Sequence, residues 1–337
     1  MHPNLLNAID RPLRYRPDGT DFVTENGAEF FNRPLYGGNT AFRVDAGDKP
    51  EFALYLPGRG GNLRFGLRAA DGSKWLHEAE HVLARYRPGA MLYEVHDPLF
   101  GREGVVRLAV LALHTVEGLV ARVEASGIRS GLELLWAFGG VNGQRGQRDG
   151  DIGTESVPIS EFFQLRPEFC AGNSFAIGAN TFTLRAKAAT VSGLVPAGAH
   201  QTIADATKWA SAADLLASAG GTPNTPVVMG RVALTGGAPL FLALQRLPGD
   251  SAMTAALPTD REVTAGDPGP DHGPARLTPR PILGFADLPA LFNDADTHSR
   301  AVREQVVVDT PDPFLNAAVA AVCIAADGVW DEPSATV

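Results

Sequence analysis

The sequence predicts a mainly β protein: a large antiparallel β-sandwich with one inserted helix and a helical C-terminal part. Short apolar or alternating runs recur between residues 13 and 195, a spacing typical of antiparallel strands. Asp-Gly, Asn-Gly and Glu-Gly pairs stand between the runs and favour the positive backbone angles of hairpin turns. The 37 glycines and 25 prolines among 337 residues disfavour a protein built of long helices.

The predicted strands follow one another along most of the chain. They cover residues 22–23, 52–56, 105–113, 119–123, 132–138, 175–177, 182–184, 226–234 and 240–244. Apolar residues at three- and four-residue steps predict the inserted helix over residues 202–219, which Gly220 and Gly221 would end.

The pattern changes after a segment crowded with Pro, Gly and Asp, residues 257–281, which predicts a linker or long surface loop. An amphipathic helix is predicted over residues 287–308, and Asp312 and Pro313 begin a second helix. The side of this helix expected to be buried carries Leu315, Ala318, Val319, Val322 and Cys323. We therefore expect a β-sandwich over residues 1–285 and a helical part over residues 286–337.

The formal charge of −9 argues against a nucleic-acid partner, because phosphate binding requires a basic face. The longest apolar stretch, residues 317–326, is far short of the ~20 residues that cross a bilayer. The sequence does not begin with a basic segment and a long apolar run, so no secretory signal is predicted in it. Cys170 and Cys323 are expected to be buried thiols rather than a disulfide framework.

One short motif suggests a metal. His77 and His81 flank Glu78 in the pattern His-Glu-x-x-His, which binds zinc when a helix brings both histidines onto one ion. Along a strand the two histidines would lie about 13 Å apart, too far for one ion. The alternation after His81 favours a strand, so we expect neither a metal nor a cofactor.

The richest candidate for binding is the glycine-rich segment 139–153, which follows the apolar strand 132–138. Its polar side chains suit the hydroxyl groups of a sugar and sit on a loop held by a sheet: Asn142, Arg145, Arg148, Asp149 and Asp151. The alternative is a solvated loop with internal Arg-Asp pairs. The segment lacks the spacings of phosphate-binding loops.

Three further segments are weaker candidates. Trp330 stands beside Asp331 and Glu332, and an indole next to carboxylates can hold a sugar ring, although a buried anchoring Trp330 is an equal alternative. The glycine-rich loops 32–39 and 58–62 could also face a ligand. The alternative is that their glycines and asparagines only supply the positive backbone angles that turns require.

Residues 310–316, Thr-Pro-Asp-Pro-Phe-Leu-Asn, open a helix that leads to Ala-Asp-Gly-Val-Trp at 326–330. This arrangement resembles the entry into the catalytic domain of the six-hairpin glycosidases, which include glucoamylases, disaccharide phosphorylases and α-L-rhamnosidases. Residues 32–36, 42–48, 50–55 and 148–151 resemble functionally unassigned bacterial members of this group.

The resemblance implies a supersandwich joined by linker helices to the first part of an (α/α)6 barrel. It implies a parent glycoside hydrolase acting on plant or microbial polysaccharide, periplasmic or secreted, with carbohydrate and the rest of the barrel as partners. Twelve helices of ~11 residues need more than the 51 residues from 287 to 337. The catalytic carboxylates are therefore expected outside this sequence, and the fragment is expected to be inactive.

The same resemblance implies that the loop 142–151 reaches the sugar-binding cleft, and that Trp330, Asp331 and Glu332 line it. We then expect this loop and Trp330 on one side of the molecule. The alternative function is a non-catalytic carbohydrate-binding or structural sandwich whose terminal helices only cap it.

Overall fold

Two antiparallel sheets packed face to face form the protein, whose computed structural model describes residues 14–146, 159–248 and 282–330. The predicted fold class, a mainly β sandwich with a few helices, is confirmed. The alternation of apolar and polar residues creates the two layers, because successive side chains of a strand point to opposite faces. In the strand from His81 to Arg87, Val82, Ala84 and Tyr86 are buried between the sheets.

The first sheet has ten strands. Their order is β1 (Arg16–Asp18), β2 (Asp21–Glu25), β8 (His81–Arg87), β9 (Ala90–His96), β10 (Val105–Ala112), β11 (Gly118–Ser126), β18 (Leu240–Arg246), β15 (Thr190–Leu194), β14 (Thr181–Arg185) and β13 (Ser174–Ile177). Every neighbouring pair is antiparallel.

The second sheet has eight strands. Their order is β16 (His200–Asp205), β17 (Pro226–Ala233), β12 (Glu133–Val141), β6 (Arg59–Ala69), β5 (Glu51–Tyr55), β4 (Arg43–Ala46) and β3 (Arg33–Leu35), with β7 (Gly72–Trp75) also paired to β6. The central strand β6 places Leu63, Phe65 and Leu67 in the core between the sheets. Its alternate residues Asn62 and Arg64 therefore point to the outer face.

Four α-helices lie in the described part of the chain. They are α1 (Ile159–Phe163), α2 (Ala212–Ala217), α3 (Leu288–Arg303) and α4 (Pro313–Gly328). α1 and α2, with short 3-10 turns at residues 167–170 and 206–208, belong to segments that cover the outer face of the eight-stranded sheet. α3 covers part of the outer face of the ten-stranded sheet, where Leu288, Phe292 and Ala295 are buried.

The predicted helix over residues 202–219 is only partly correct. Residues 200–205 form β16, which pairs with β17, and the α-helix is limited to Ala212–Ala217. The backbone hydrogen bonds available at the edge of the sheet outweigh a weak helical periodicity. Ser211 then caps α2 by accepting a hydrogen bond from the Asp214 N–H at 3.2 Å.

The C-terminal helices begin as predicted, and Asp312 caps α4 by accepting a hydrogen bond from the Phe314 N–H at 2.9 Å. The predicted buried side of α4 is wrong, since Ala317, Ala320, Ile324 and Gly328 are buried whereas Leu315 is 49% exposed. Residues 314–326 contain no charged side chain, so periodicity could not identify the buried face.

The predicted linker 257–281 lies outside the described residues. Among the helices that are described, none has both the length and the apolar character needed to cross a lipid bilayer.

A close approach of backbone to a ring makes one glycine essential for the packing of β12 and β17. Gly230 pairs with Trp136, and a Cβ on Gly230 would lie 2.2 Å from Cζ2 of the buried indole. We expect Gly230→Ala to lower the free energy of unfolding by about 2 kcal/mol, measured by urea denaturation.

The matched control is Gly236→Ala in an exposed turn, where the nearest atom to a Cβ is 3.6 Å away. We expect this variant to unfold within about 0.5 kcal/mol of wild type. Equal urea midpoints for the two variants would contradict the close approach of Gly230 to Trp136.

Candidate functional site

Strand register brings a set of aromatic and polar side chains to one end of the eight-stranded sheet. The paired residues at this end are Leu35 with Val44, Arg43 with Tyr55, Tyr55 with Arg59, and Val141 with Gly60. We call Tyr36, Arg43, Tyr55, Arg59 and Asn142 the end-of-sheet band. It crosses five strands, from β3 to β12, a distance of about 19 Å.

Arg59 is the anchor of the band and is only 4% exposed. Its guanidinium donates to the Phe162 carbonyl oxygen at 2.6 Å and to Gln144 Oε1 at 3.2 Å. It also lies over the ring of Phe169 at 3.6 Å. Burial lowers the pKa of Arg59 to about 10, so the group remains charged at neutral pH.

The predicted binding loop starts on this anchor. The Asn142 N–H donates to the Arg59 carbonyl oxygen at 3.2 Å, and the Arg59 N–H donates to the Gln144 carbonyl oxygen at 2.9 Å. Asn142 Oδ1 accepts from the Gln144 N–H at 3.0 Å. The side-chain oxygen of Asn142 therefore holds the loop in shape. Arg145 is exposed, and Arg148, Asp149 and Asp151 lie outside the described residues.

Arg43 occupies the middle of the band. Its guanidinium lies 4.1 Å from the centre of the Tyr55 ring and donates from Nε to Asp45 at 3.2 Å. Burial raises the pKa of Asp45 to about 6 although Arg43 acts in the opposite direction. The band thus presents a partly exposed aromatic ring fixed beside a cation.

Trp330 is 40% exposed just beyond the end of α4. Gly328 lies so close to Tyr36 that a Cβ there would be 2.3 Å from Cγ of the tyrosine. Since Tyr36 directly follows β3, the C-terminal end of α4 is at the same end of the sheet as Asn142. Asp331 and Glu332, the predicted neighbours of Trp330, lie outside the described residues.

Partly exposed rings and fixed hydrogen-bonding groups are the features that hold a polyhydroxylated ring, because the rings stack on its C–H face and the polar groups bond its hydroxyls. The band has rings at Tyr36 and Tyr55 and a guanidinium at Arg43, and the exposed Arg145 follows it on the loop after β12. This combination of groups can bind a ligand that carries hydroxyl groups.

The His-Glu-x-x-His pattern is not on an α-helix. His77 lies in a 3-10 turn from Leu76 to Glu78, and His81 opens β8, where its ring packs against His96 at 5.6 Å. Glu78 accepts a hydrogen bond from the Trp75 N–H at 2.9 Å and so closes the turn. Within residues 14–146, 159–248 and 282–330, no three His, Cys, Asp or Glu side chains are grouped for metal binding.

The outer face of the eight-stranded sheet carries a buried polar network that the sequence pattern does not predict. Glu51 pairs directly with Arg64, and their side chains form an ion pair that is supported by Asn62. An alternating pattern of this kind predicts a face in water, whereas α1 and the turns at 167–170 and 206–208 bury it. The pairing register alone could have found the opposite charges side by side.

The two cysteines are unpaired thiols. Cys170 is buried, and burial raises the pKa of its thiol to about 12. Cys323 on α4 is only half-buried, which differs from the prediction of two buried thiols.

Fold and band together define a two-layer antiparallel sandwich with a polar, aromatic end. A family model described as a domain of unknown function, DUF4450, matches residues 56–259, more than half of the sequence. The chain belongs to this family.

No curated protein matches the sequence. Among solved structures, the chain is similar to a bacterial glucoamylase complexed with acarbose, with a TM-score of 0.43 and 9% identity. The similarity covers 68% of this chain and 35% of the glucoamylase chain.

The pKa of His77 reports on the covered outer face of the eight-stranded sheet. Its pKa is lowered to about 3 by burial, with Arg64 and Lys49 acting in the same direction. Between about pH 6.5 and pH 3 the unfolded chain binds a proton at this residue that the folded chain excludes, so stability falls as the pH falls. We expect the stability difference between wild type and His77→Asn to change by about 1.4 kcal/mol per pH unit below pH 6, measured by urea denaturation.

Asp45→Asn provides a control of opposite sign. The pKa of Asp45 is raised from 3.8 to about 6 in the folded chain. Between these two pH values the folded wild-type chain therefore binds a proton at Asp45 that the unfolded chain has released. The advantage of wild type over this variant should therefore shrink as the pH rises from 4 to 6. Parallel pH profiles for the wild type and His77→Asn would contradict the assigned environment of His77.

Proposed function

We propose that this chain is the N-terminal β-sandwich portion of a glycoside hydrolase acting on plant or microbial polysaccharide. In this proposal, residues up to about 285 form the sandwich, and α3 and α4 lead into an (α/α)6 barrel. The sandwich supports the barrel and lends the loop 142–151 to a sugar-binding cleft. The sequence resemblance at residues 310–316 is the first support for this assignment.

The observation that carries the proposal is the open apolar face of α4. Leu315, Val322 and Val329 recur at seven-residue intervals and are 49%, 63% and 50% exposed. Seven residues make almost two full turns, so the three side chains lie on one side of α4. This side is opposite Ala317, Ala320 and Ile324, which are buried where α4 packs against α3 and β1. A helix that is apolar all round is normally buried on all sides, so this stripe supports packing against further helices.

The position of the stripe supports a cleft as well as a barrel. The apolar stripe leads along α4 to Trp330. This residue follows Gly328, which contacts Tyr36 at the end of the sheet where the band lies. A barrel built against α4 would face Arg145 and the loop that follows it. Trp330, Asp331 and Glu332 would then border the same cleft from the helical side.

Glycoside hydrolysis requires two carboxyl groups that flank the scissile bond, one of which acts as a general acid. Asp45, next to the band, is buried and accepts a hydrogen bond from Arg43, which suits a structural role. We therefore assign the catalytic pair to the barrel, and the sandwich contributes ligand contacts.

The barrel is tested by making Leu315→Ser and Val322→Ser together in two lengths of the protein. In the 337-residue chain we expect little change in the free energy of unfolding, since both side chains face water. In the longest natural polypeptide that contains this sequence we expect a loss of about 3 kcal/mol, since burial of such side chains is worth roughly 1.5–3 kcal/mol each. Urea denaturation measures the free energy of unfolding in both lengths of the protein.

A neutral result in both lengths would refute the barrel. It would favour the alternative function, a carbohydrate-binding or structural sandwich without a catalytic domain. Absence of helical hairpins after the present sequence in the natural polypeptide would favour the same alternative.

The shared cleft is tested separately by oligosaccharide hydrolysis with the natural polypeptide. We expect Arg145→Ala and Trp330→Ala each to raise KM about tenfold, equivalent to ~1.4 kcal/mol of lost binding, with a smaller effect on kcat. The control is Arg102→Ala, whose side chain is 96% exposed and which lies outside the band. Unchanged kinetics in both variants would remove the loop after β12 and the end of α4 from the substrate site.

A further inference from the structure

A second cleft lies on the outer face of the eight-stranded sheet, away from the end-of-sheet band. Its floor holds Arg64, five residues along β6 from Arg59 and so about 16 Å from the band. The cleft has a volume of about 300 Å³. Its walls come from three segments that are distant in sequence: Phe30, residues 164–167, and residues 206–210.

The floor of the cleft is a buried ion pair. Glu51 is 1% exposed and Arg64 is 8% exposed. Arg64 Nε donates to Glu51 Oε2 at 2.8 Å, its Nη2 donates to the same oxygen, and its Nη1 donates to the Trp209 carbonyl oxygen at 2.9 Å. Asn62 Nδ2 donates to Glu51 Oε1 at 3.0 Å. These bonds use three of the five N–H groups of the guanidinium.

Removing such a pair from water is costly, and an apolar pair of similar volume would often serve stability as well or better. The pair nevertheless lies at the bottom of a cleft, where its remaining donors and the carboxylate oxygens can meet a ligand. Because the two charges compensate each other, the floor suits a neutral ligand with both donors and acceptors. The compensated pair gives a carboxylate or phosphate no net attraction.

The walls of the cleft add hydrogen-bonding groups and apolar surface to the charged floor. Gln164 and Thr207 are exposed and provide an amide and a hydroxyl group. Phe30 and Leu165 provide apolar surface, and the Phe30 ring is held edge-on to His77 at 5.5 Å. A ring with hydroxyl groups around an apolar face matches this combination. The volume is at the lower limit of small-molecule pockets, which suits one ring rather than a chain of rings.

We propose that this cleft binds a single neutral sugar unit through Glu51, Arg64, Gln164 and Thr207. This site is separate from the band and does not depend on a barrel or on hydrolysis. A sandwich with such a cleft holds a glycan end on its own surface.

The 337-residue chain is titrated with glucose, galactose, mannose, xylose and rhamnose, and binding is followed by saturation-transfer NMR. We expect saturable binding of at least one sugar with a Kd of ~1 mM, a reasonable value for a ligand of about a dozen heavy atoms. Gln164→Ala and Thr207→Val alter exposed side chains, so they should fold normally. We expect each to weaken binding about tenfold.

Arg102→Ala is the matched control, since the Arg102 side chain is 96% exposed and lies outside both this cleft and the band, and this variant should bind the same sugar as tightly as wild type does. Absence of saturable binding to all five sugars would overturn the proposal. So would binding unchanged in both cleft variants, or tighter binding of glucuronate than of glucose. Binding lost only in Trp330→Ala would overturn the cleft and support the band instead.

Discussion

The pairing of β6 with β12 at the centre of the eight-stranded sheet is the constraint on which the rest of the molecule depends. One face of β6 supplies Leu63, Phe65 and Leu67 to the core between the sheets. The other face carries Arg64, which forms the floor of the cleft. Arg59 reaches this face as well, because the register between β5 and β6 shifts by one residue before it, and there it anchors the loop after β12. A shift of one residue in the register between β6 and β12 would exchange the two faces, so the core and both sites are specified together.

The outer face of this sheet is unusual because it buries charge. Arg59 and Arg64 each donate a hydrogen bond to a carbonyl oxygen of the segments that cover them, at Phe162 and Trp209 respectively. The covering segments therefore depend on the arginines as much as the arginines depend on them. Such a network holds loops of irregular structure in one arrangement, because any displacement leaves a buried charge without its partners.

α3 and α4 differ in how completely they are covered. α3 has charged residues on one side and packs Phe292 against Phe241, at 6.0 Å between ring centres, on the ten-stranded sheet. α4 packs against α3 and β1 and buries small residues such as Ala317 and Ala320, while Leu315 and Val322 face water. The two helices thus belong to different environments although they are consecutive in the chain. The open face of α4 is where the proposed function and the observed fold meet.

Local sequence patterns specify the mainly β class, the alternation in β8 and the start of α4 at Asp312, because these are properties of a few neighbouring residues. Residues 202–205 were misassigned because an edge position on β17 decided their conformation. Three features are set by tertiary packing: the buried side of α4, the hydrogen bond of the Asn142 oxygen within its own loop, and the pairing of Glu51 with Arg64 beneath a covering loop. These features depend on contacts between segments far apart in the chain, and local patterns carry no information about such contacts.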